Sequence, residues 1–306
     1  MVLGLVETVY LLALVPAVLW GFTPVLDKRG MSLDGTAVQA SLVVVLVDLL
    51  IYGVALLVLR GPTALAGIDA ATAGVFLIAG IAGTALGRLA IFEGVHRVGA
   101  SINSAVVSGR PLFATALAFG FLGEPVSLTT AVGIVVLVGG LVVLSLAKGG
   151  DLAGWQSRDL LYPLASAAFF AVGSVLRRFG LQSSGTDALA AVALNELGAL
   201  LVFVGYAAVR GTRRFRSTQP RSYAYFAASG LLTATALFSV FTALSLPEGR
   251  VAIVDSLGST APLFTTVFAY FLLRDLERVS VGVVAGAVLV VVGAALVTLG
   301  PGFAVG

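Results

Sequence analysis

Ten runs of mostly apolar residues, each close to twenty residues long, follow one another with only short breaks between them. They cover 9–26, 37–59, 71–92, 100–122, 128–147, 160–178, 186–209, 223–245, 251–273 and 279–299. A helix needs roughly 20 such residues to cross the hydrocarbon core of a bilayer. Hydrophobic residues make up 59% of the 306 and charged residues only 11%, whereas a soluble domain carries about a quarter charged residues. The strands of a membrane barrel would alternate apolar and polar residues at every second position, and these runs do not. The expected fold is an all-α integral membrane protein with ten transmembrane helices. The first run has only Glu7 and no basic residue ahead of it, so it reads as a retained span rather than a cleaved signal.

The chain also repeats itself. Pro111-Leu112-Phe113 returns as Pro262-Leu263-Phe264, 151 residues later. Val25-Leu26 with Gly30 returns as Val175-Leu176 with Gly180, and Arg60-Gly61 as Arg210-Gly211, both at an offset of 150. Gly133 and Gly140 return as Gly286 and Gly293 at 153. The order is kept, which marks a duplicated unit. The expected organisation is a first five-helix repeat over 1–147, a connecting loop over 148–158 and a second five-helix repeat over 159–306. An odd number of spans per copy makes the second copy enter the bilayer from the opposite side, giving inverted repeats of the kind found in secondary transporters.

Charge excludes several partners and leaves one question open. There is no cysteine and a single histidine, His96, so neither a thiolate nor a two-histidine metal site is expected, and no cofactor is implied. The basic residues sit mostly in loops, where they meet lipid headgroups, so the bilayer and not a nucleic acid is the expected macroscopic partner. With a cytoplasmic N-terminus, four basic residues fall in inside loops and thirteen in outside loops, Arg88 among the latter. That count favours termini outside.

Several motifs carry a family resemblance. Trp20-Gly21-Phe22 lies in the first run, and a glycine-rich third run, GIAGTALGRLAIFEGVHRVGAS, leads to a fourth that contains Pro111-Leu112-Phe113. Leu122-Gly123-Glu124-Pro125 follows, then a glycine-punctuated fifth run, and the second half repeats the order as APLFTTVFAYFLLRDLE and VVAGAVLVVVGAALV. Over essentially its whole length the chain resembles the drug/metabolite transporter superfamily, in its ten-span EamA-like branch. The resemblance implies a transporter with cytoplasmic termini, against the charge count. It departs from the family pattern early in the second run, where Val38-Gln39-Ala40-Ser41 stands without the usual basic residue.

Polar side chains within spans are costly and tend to face a bundle interior or a water-filled cavity. Ser104, Ser108 and Pro111 share one helix face, and Asp255, Ser259 and Pro262 repeat that spacing in the ninth run. The prolines are candidate hinges, because each removes a helical hydrogen bond. Arg110 lies deep in its run with Asn103 seven residues earlier. It could bind an anionic group of a substrate or form a structural ion pair with Asp255, Asp48 or Glu196. Those three carboxylates are also candidate proton carriers. Trp20, with Thr23 and Pro24, could line a cavity, with Phe170 as its repeat counterpart. The substrate-binding set is therefore Trp20, Asn103, Ser104, Ser108, Arg110, Asp255 and Ser259. Arg274, Asp275, Glu277 and Arg278 read as headgroup-level loop residues that can pair among themselves.

These features point to a secondary-active transporter of a small metabolite or amphipathic solute, working through a central cavity in the cell membrane, with export one direction it could serve. A monomer suffices for such a cavity. No GxxxxGK[ST], GxSxG or HExxH motif occurs, which leaves an intramembrane enzyme built on a carboxylate pair, or a purely structural membrane protein, as the alternatives.

Overall fold

A computed structural model describes residues 2–122, 127–147, 149–151, 154–210, 218–246, 254 and 257–303. Asp255 lies outside the described residues, as do Arg213, Arg214 and Arg216. The first half begins with α1 (Val2–Ser32) and α2 (Ala37–Arg60). Next comes one long helical run made of α3 (Ala70–Ala79), a π-helical turn (Gly80–Leu86) and α4 (Gly87–Val98). It ends with α5 (Ala100–Val107), α6 (Arg110–Leu122) and α7 (Leu128–Leu146). After β1 (Gly150–Asp151) and a 3₁₀ turn (Ser157–Leu160), the second half holds α8 (Leu161–Ser184), α9 (Ala188–Arg210), α10 (Pro220–Ser245) and α11 (Ala261–Leu272). It closes with β2 (Glu277–Arg278) and α12 (Val281–Phe303).

Local chemistry sets the ends of these helices. Thr36 and Gln39 form a reciprocal capping box that starts α2. Asp69 accepts from the Ala71 and Thr72 N–H groups to start α3, and Ser127 caps α7. Gly99, at φ +86°, turns the chain from α4 into α5 with no intervening loop, a conformation that side chains other than glycine rarely adopt.

Each of the ten apolar runs holds helix, but unequally. Six helices among the described residues are long and apolar enough to cross a membrane: Thr8–Ser32, Ala37–Arg60, Ala70–Val98, Ser157–Ser184, Ala188–Val209 and Pro220–Ser245. Leu128–Leu144, Ala261–Leu272 and Val281–Leu296 are shorter apolar helices. The protein is an all-α membrane protein. Two expectations are corrected. The first span does not stop at residue 26, since α1 continues to Ser32 and carries Asp27 and Lys28 inside the helix. The fourth run is not one helix, since a turn at Ser108-Gly109 divides α5 from α6.

The apolar surface is inside out relative to a soluble protein. Leu50, Leu57, Val58 and Leu59 on α2 and Val204 and Val209 on α9 face outward, as lipid-facing side chains do. The packing pairs one half with the other: α1 against α10, α8 against α3 and α4, α2 against α9, α5 against α11, and α7 against α12. Two contacts recur with the halves exchanged. Gly30 abuts the Phe226 ring, and Gly180 abuts the Phe76 ring at 2.8 Å from where its Cβ would stand. Gly140 meets the backbone of Val290, and Gly293 meets the backbone of Leu137. In both cases the partners are related by the same offset as the glycines. Small residues at these crossings let the helices approach closely.

Candidate functional site

The helix breaks are the geometric origin of the site. Gly109 N–H bonds the Val106 carbonyl at 3.0 Å and Leu112 N–H the Gly109 carbonyl at 2.9 Å. In the second half Thr260 N–H bonds Leu257 and Leu263 N–H bonds Thr260, both at 3.1 Å. The two tight turns are thus equivalent bond for bond at an offset of 151. Proline explains both. Pro111 and Pro262 have no N–H to offer the carbonyls four residues earlier, those of Val107 and Gly258, and each proline opens a new helix instead.

Beside the breaks lies an open cavity, with ≈ 950 Å³ of empty space when its mouth is counted. Val107 and Gly258 both line it, as do Ser104, Ser108, Arg110 and Ser259. One stripe of α1, Trp20, Thr23, Pro24 and Asp27, forms a second wall, and the spacing of three and four residues keeps these side chains on one face. Phe170 on α8 also lines the cavity, so the repeat-related aromatics Trp20 and Phe170 share it. Ser104 is tied to the other half: the Thr265 hydroxyl on α11 donates to its Oγ at 2.9 Å.

Behind the cavity runs a buried polar network that sequence reasoning assembled only in part. Arg88 projects from α4 and donates to Asp48 Oδ2 on α2 at 2.6 Å and to Glu196 Oε2 on α9 at 2.8 Å. Asn195 Nδ2 donates to Glu196 Oε1 at 3.0 Å and to Thr84 Oγ1 at 2.6 Å. Arg177 on α8 donates to Thr84 Oγ1 at 2.9 Å and to Asn195 Oδ1 at 3.0 Å, and its guanidinium lies over the Phe241 ring. The π-helical turn places Thr84 there, because at Gly80 it presses against the Asn195 carbonyl with no room for a side chain. Extra residues in a π turn re-aim side chains in this way.

These contacts revise several expectations. Arg88, read as a loop residue at headgroup level, is buried between two carboxylates. Asp48, offered as a partner for Arg110, bonds Arg88 instead. Asp48 and Glu196, the two described candidate proton carriers, are fully buried and both bond Arg88. Asn103 is buried with its side chain against Gly94 and does not line the cavity, and the break at Ser108-Gly109 separates its helix from that of Arg110. Asp27, Thr84, Arg88 and Arg177 were missed as cavity residues. A signal for two of them was present, since Asp27 and Arg177 directly follow the matched Val-Leu pairs.

At one end of the bundle, polar contacts tie the halves together. Lys28 donates to the His96 carbonyl at 2.9 Å and pairs with Asp151 on β1. β1 pairs antiparallel with β2, Gly150 opposite Arg278 and Asp151 opposite Glu277. Asp275 and Glu277 pair with neither Arg274 nor Arg278. Asp275 accepts from Arg29 at 2.6 and 2.7 Å, and this bond holds its carboxyl below the usual range. Glu277 accepts the Ala100 and Ser101 N–H groups at the start of α5, at 2.7 and 2.8 Å. Burial pushes the Glu277 carboxyl up, against the pull of those donors and of Lys28.

Comparison with known proteins supplies the family. No curated protein matches the chain. A solved structure, titled only as the crystal structure of a protein, aligns over 95% of this chain and 99% of its own with a TM-score of 0.61. At 18% identity that likeness speaks to the fold alone. The model of the EamA-like transporter family matches twice, over residues 7–146 and again over 158–299. The chain is a multi-pass membrane protein that belongs to the EamA-like transporter family.

Proposed function

We propose that the protein is a secondary-active transporter of a small metabolite or amphipathic solute, working by alternating exposure of the cavity between its halves. The observation that carries this reading is the pair of equivalent helix breaks flanking one cavity. Broken helices near the middle of a bilayer offer backbone acceptors to a solute without exposing them to lipid. The matched Gly30–Phe226 and Gly180–Phe76 contacts support a pseudo-two-fold relation between repeats 1–147 and 159–306, with 148–158 joining them. Five spans per repeat would put that axis in the membrane plane, so that rocking one repeat against the other exchanges the open side.

Within this reading the cavity wall takes the substrate through Trp20, Ser104, Ser108, Arg110 and Ser259, with Asp255 as the ninth-run equivalent of Ser104. Pro111 and Pro262 serve as hinges. Any proton carried by Asp48 or Glu196 acts through Arg88, which separates both from the cavity. The bilayer in question is the plasma membrane, and one copy of the chain is sufficient. Counterflow in proteoliposomes loaded with a panel of unlabelled metabolites tests the proposal. Exchange of a labelled solute that Arg110→Ala abolishes is expected; uptake that neither saturates nor responds to trans substrate would point to a channel instead.

A further inference from the structure

Among the described residues, Asp27 is an acidic side chain without a dedicated counter-charge on the cavity wall. It is 1% exposed, and its Oδ1 has no hydrogen-bond partner among the described residues. Ser229 on α10 lies beside it, fully buried, close enough to bear on the carboxyl but without closing a hydrogen bond of ordinary geometry. Arg88 is the cation whose charge reaches Asp27, but its two bonding arms are taken by Asp48 and Glu196. One guanidinium thus faces three carboxylates, and buried charges persist when they are paired. Arg177 does not supply the missing charge to Asp27, since it bonds Asn195 and Thr84.

We propose, resting on the transporter reading above, that Asp27 and Ser229 form the seat for a protonated amine of the transported solute. An ammonium group brings one positive charge and three donors, which suits a carboxylate with a free oxygen next to an unpartnered hydroxyl. A metal ion would need about six oxygen ligands, and no cluster of three or more His, Cys, Asp or Glu that could hold one occurs among the described residues. The α1 stripe also measures the solute. Trp20 stands two turns before Asp27 on the same face, a rise of roughly 10 Å. A solute with its ammonium at Asp27 therefore lays its apolar body along Trp20, and Phe170 lines the same cavity. The class is an amphipathic amine with a compact apolar body.

The chain holds two tryptophans, so Trp155→Phe leaves Trp20 as the single indole reporter inside the cavity. The probes are cyclohexylmethylamine and its neutral counterpart cyclohexylmethanol, titrated into the detergent-solubilised full chain while Trp20 fluorescence is read. The amine is expected to bind, and Asp27→Asn to raise its Kd about tenfold or more, the scale of a lost buried ion pair. Asp27→Glu keeps the charge and recovers most of the affinity, and cyclohexylmethanol binding is indifferent to either variant. The proposal is overturned if the amine gives no Trp20 response, if the alcohol binds the parent protein as tightly, or if Asp27→Asn weakens both probes alike. The probe comparison in the parent needs no variant to fold. Binding in detergent needs no turnover, so a chain that binds the amine yet fails counterflow would sink the transporter reading and leave the seat standing.

Discussion

Asp27 and Arg177 occupy the same place in the two halves, 150 residues apart, and line one cavity, an acidic side chain on one wall and a basic one on the other. Duplication made the two walls alike, and this pair makes them different. Asp27 stands beside Ser229, whereas Arg177 is held by Asn195 and Thr84. Trp20 and Phe170, and the two broken helices, keep the symmetry; Arg110, which aligns with Ala261, departs from it as well. A cavity with matched apolar walls and mismatched charges can orient a solute that has distinct ends.

Removing the Arg88 side chain leaves Asp48 and Glu196 buried with no opposite charge between them. Breaking a buried pair from one side costs about 3–5 kcal/mol, and here one cation serves two acids. Arg88→Ala is expected to lower the melting temperature of the purified protein steeply or to prevent its recovery as a monodisperse peak. Combining Arg88→Ala with Asp48→Leu and Glu196→Gln removes all three charges at once and should restore much of the loss. A single variant that melts like the parent would mean that the trio is not held as described.

Gly80 and Gly53 make a controlled pair. A Cβ at Gly80 would run into the Asn195 carbonyl, which belongs to the α9 backbone and cannot swing aside, while a Cβ at Gly53 meets nothing within 4 Å. Gly80→Ala should therefore displace the π turn, pull Thr84 away from Arg177 and destabilise the protein by about 1–3 kcal/mol. Gly53→Ala should be neutral or slightly stabilising, since alanine is the better helix former. Thermal denaturation of the two variants side by side checks this.

Much of the architecture was legible because hydropathy and duplication are properties of the chain itself. Apolar runs marked the helices, and Pro111 and Pro262 marked the places where two of them break. The buried charges were harder. Arg88 sits inside a run already drawn as a span, yet a lone arginine in a sequence looks like a headgroup contact until Asp48 and Glu196 are known to arrive from two other helices. Asp27 fell one residue past an end drawn from hydropathy, which cannot tell a span that stops from one that continues through a charged turn facing inward. Asn103 failed for a different reason. Helical spacing relates it to Arg110 only if the helix between them is continuous.

Glu277 gives the protein a pH-dependent contribution of known sign. Its folded carboxyl is raised above the ordinary value of 4.5 by burial. The stabilisation linked to its proton is complete below that value and fades as pH rises through the folded one. Glu277→Gln does not titrate and keeps one of the two acceptors, so it should lie within about 1–2 kcal/mol of the parent at about pH 4. The parent should then lose ground to the variant in melting temperature as pH is raised from there towards neutrality. A gap that widens in the parent's favour as pH rises would mean that Lys28 and the Ala100 and Ser101 N–H groups outweigh burial.

Lys28 and Asp151 join the end of α1 to the segment that links the halves, and the β1–β2 pair joins that segment to the residues ahead of α12. The alternating access proposed above requires contacts of this kind at one end of the bundle to part in one phase of the cycle. Lys28→Met keeps the length and apolar stem of the side chain but removes its charge, so the closed arrangement weakens without a cavity forming. The chain contains no cysteine, so Ser108→Cys introduces a single thiol on the cavity wall. A membrane-impermeant maleimide added from the Lys28 side of a proteoliposome should label it roughly tenfold faster in the Lys28→Met background, a shift of about 1.4 kcal/mol in the open population. Labelling from the opposite side should slow or stay constant. Equal acceleration from both sides would indicate general loosening of the bundle, and no change from either would show that Lys28 and Asp151 do not hold this end shut.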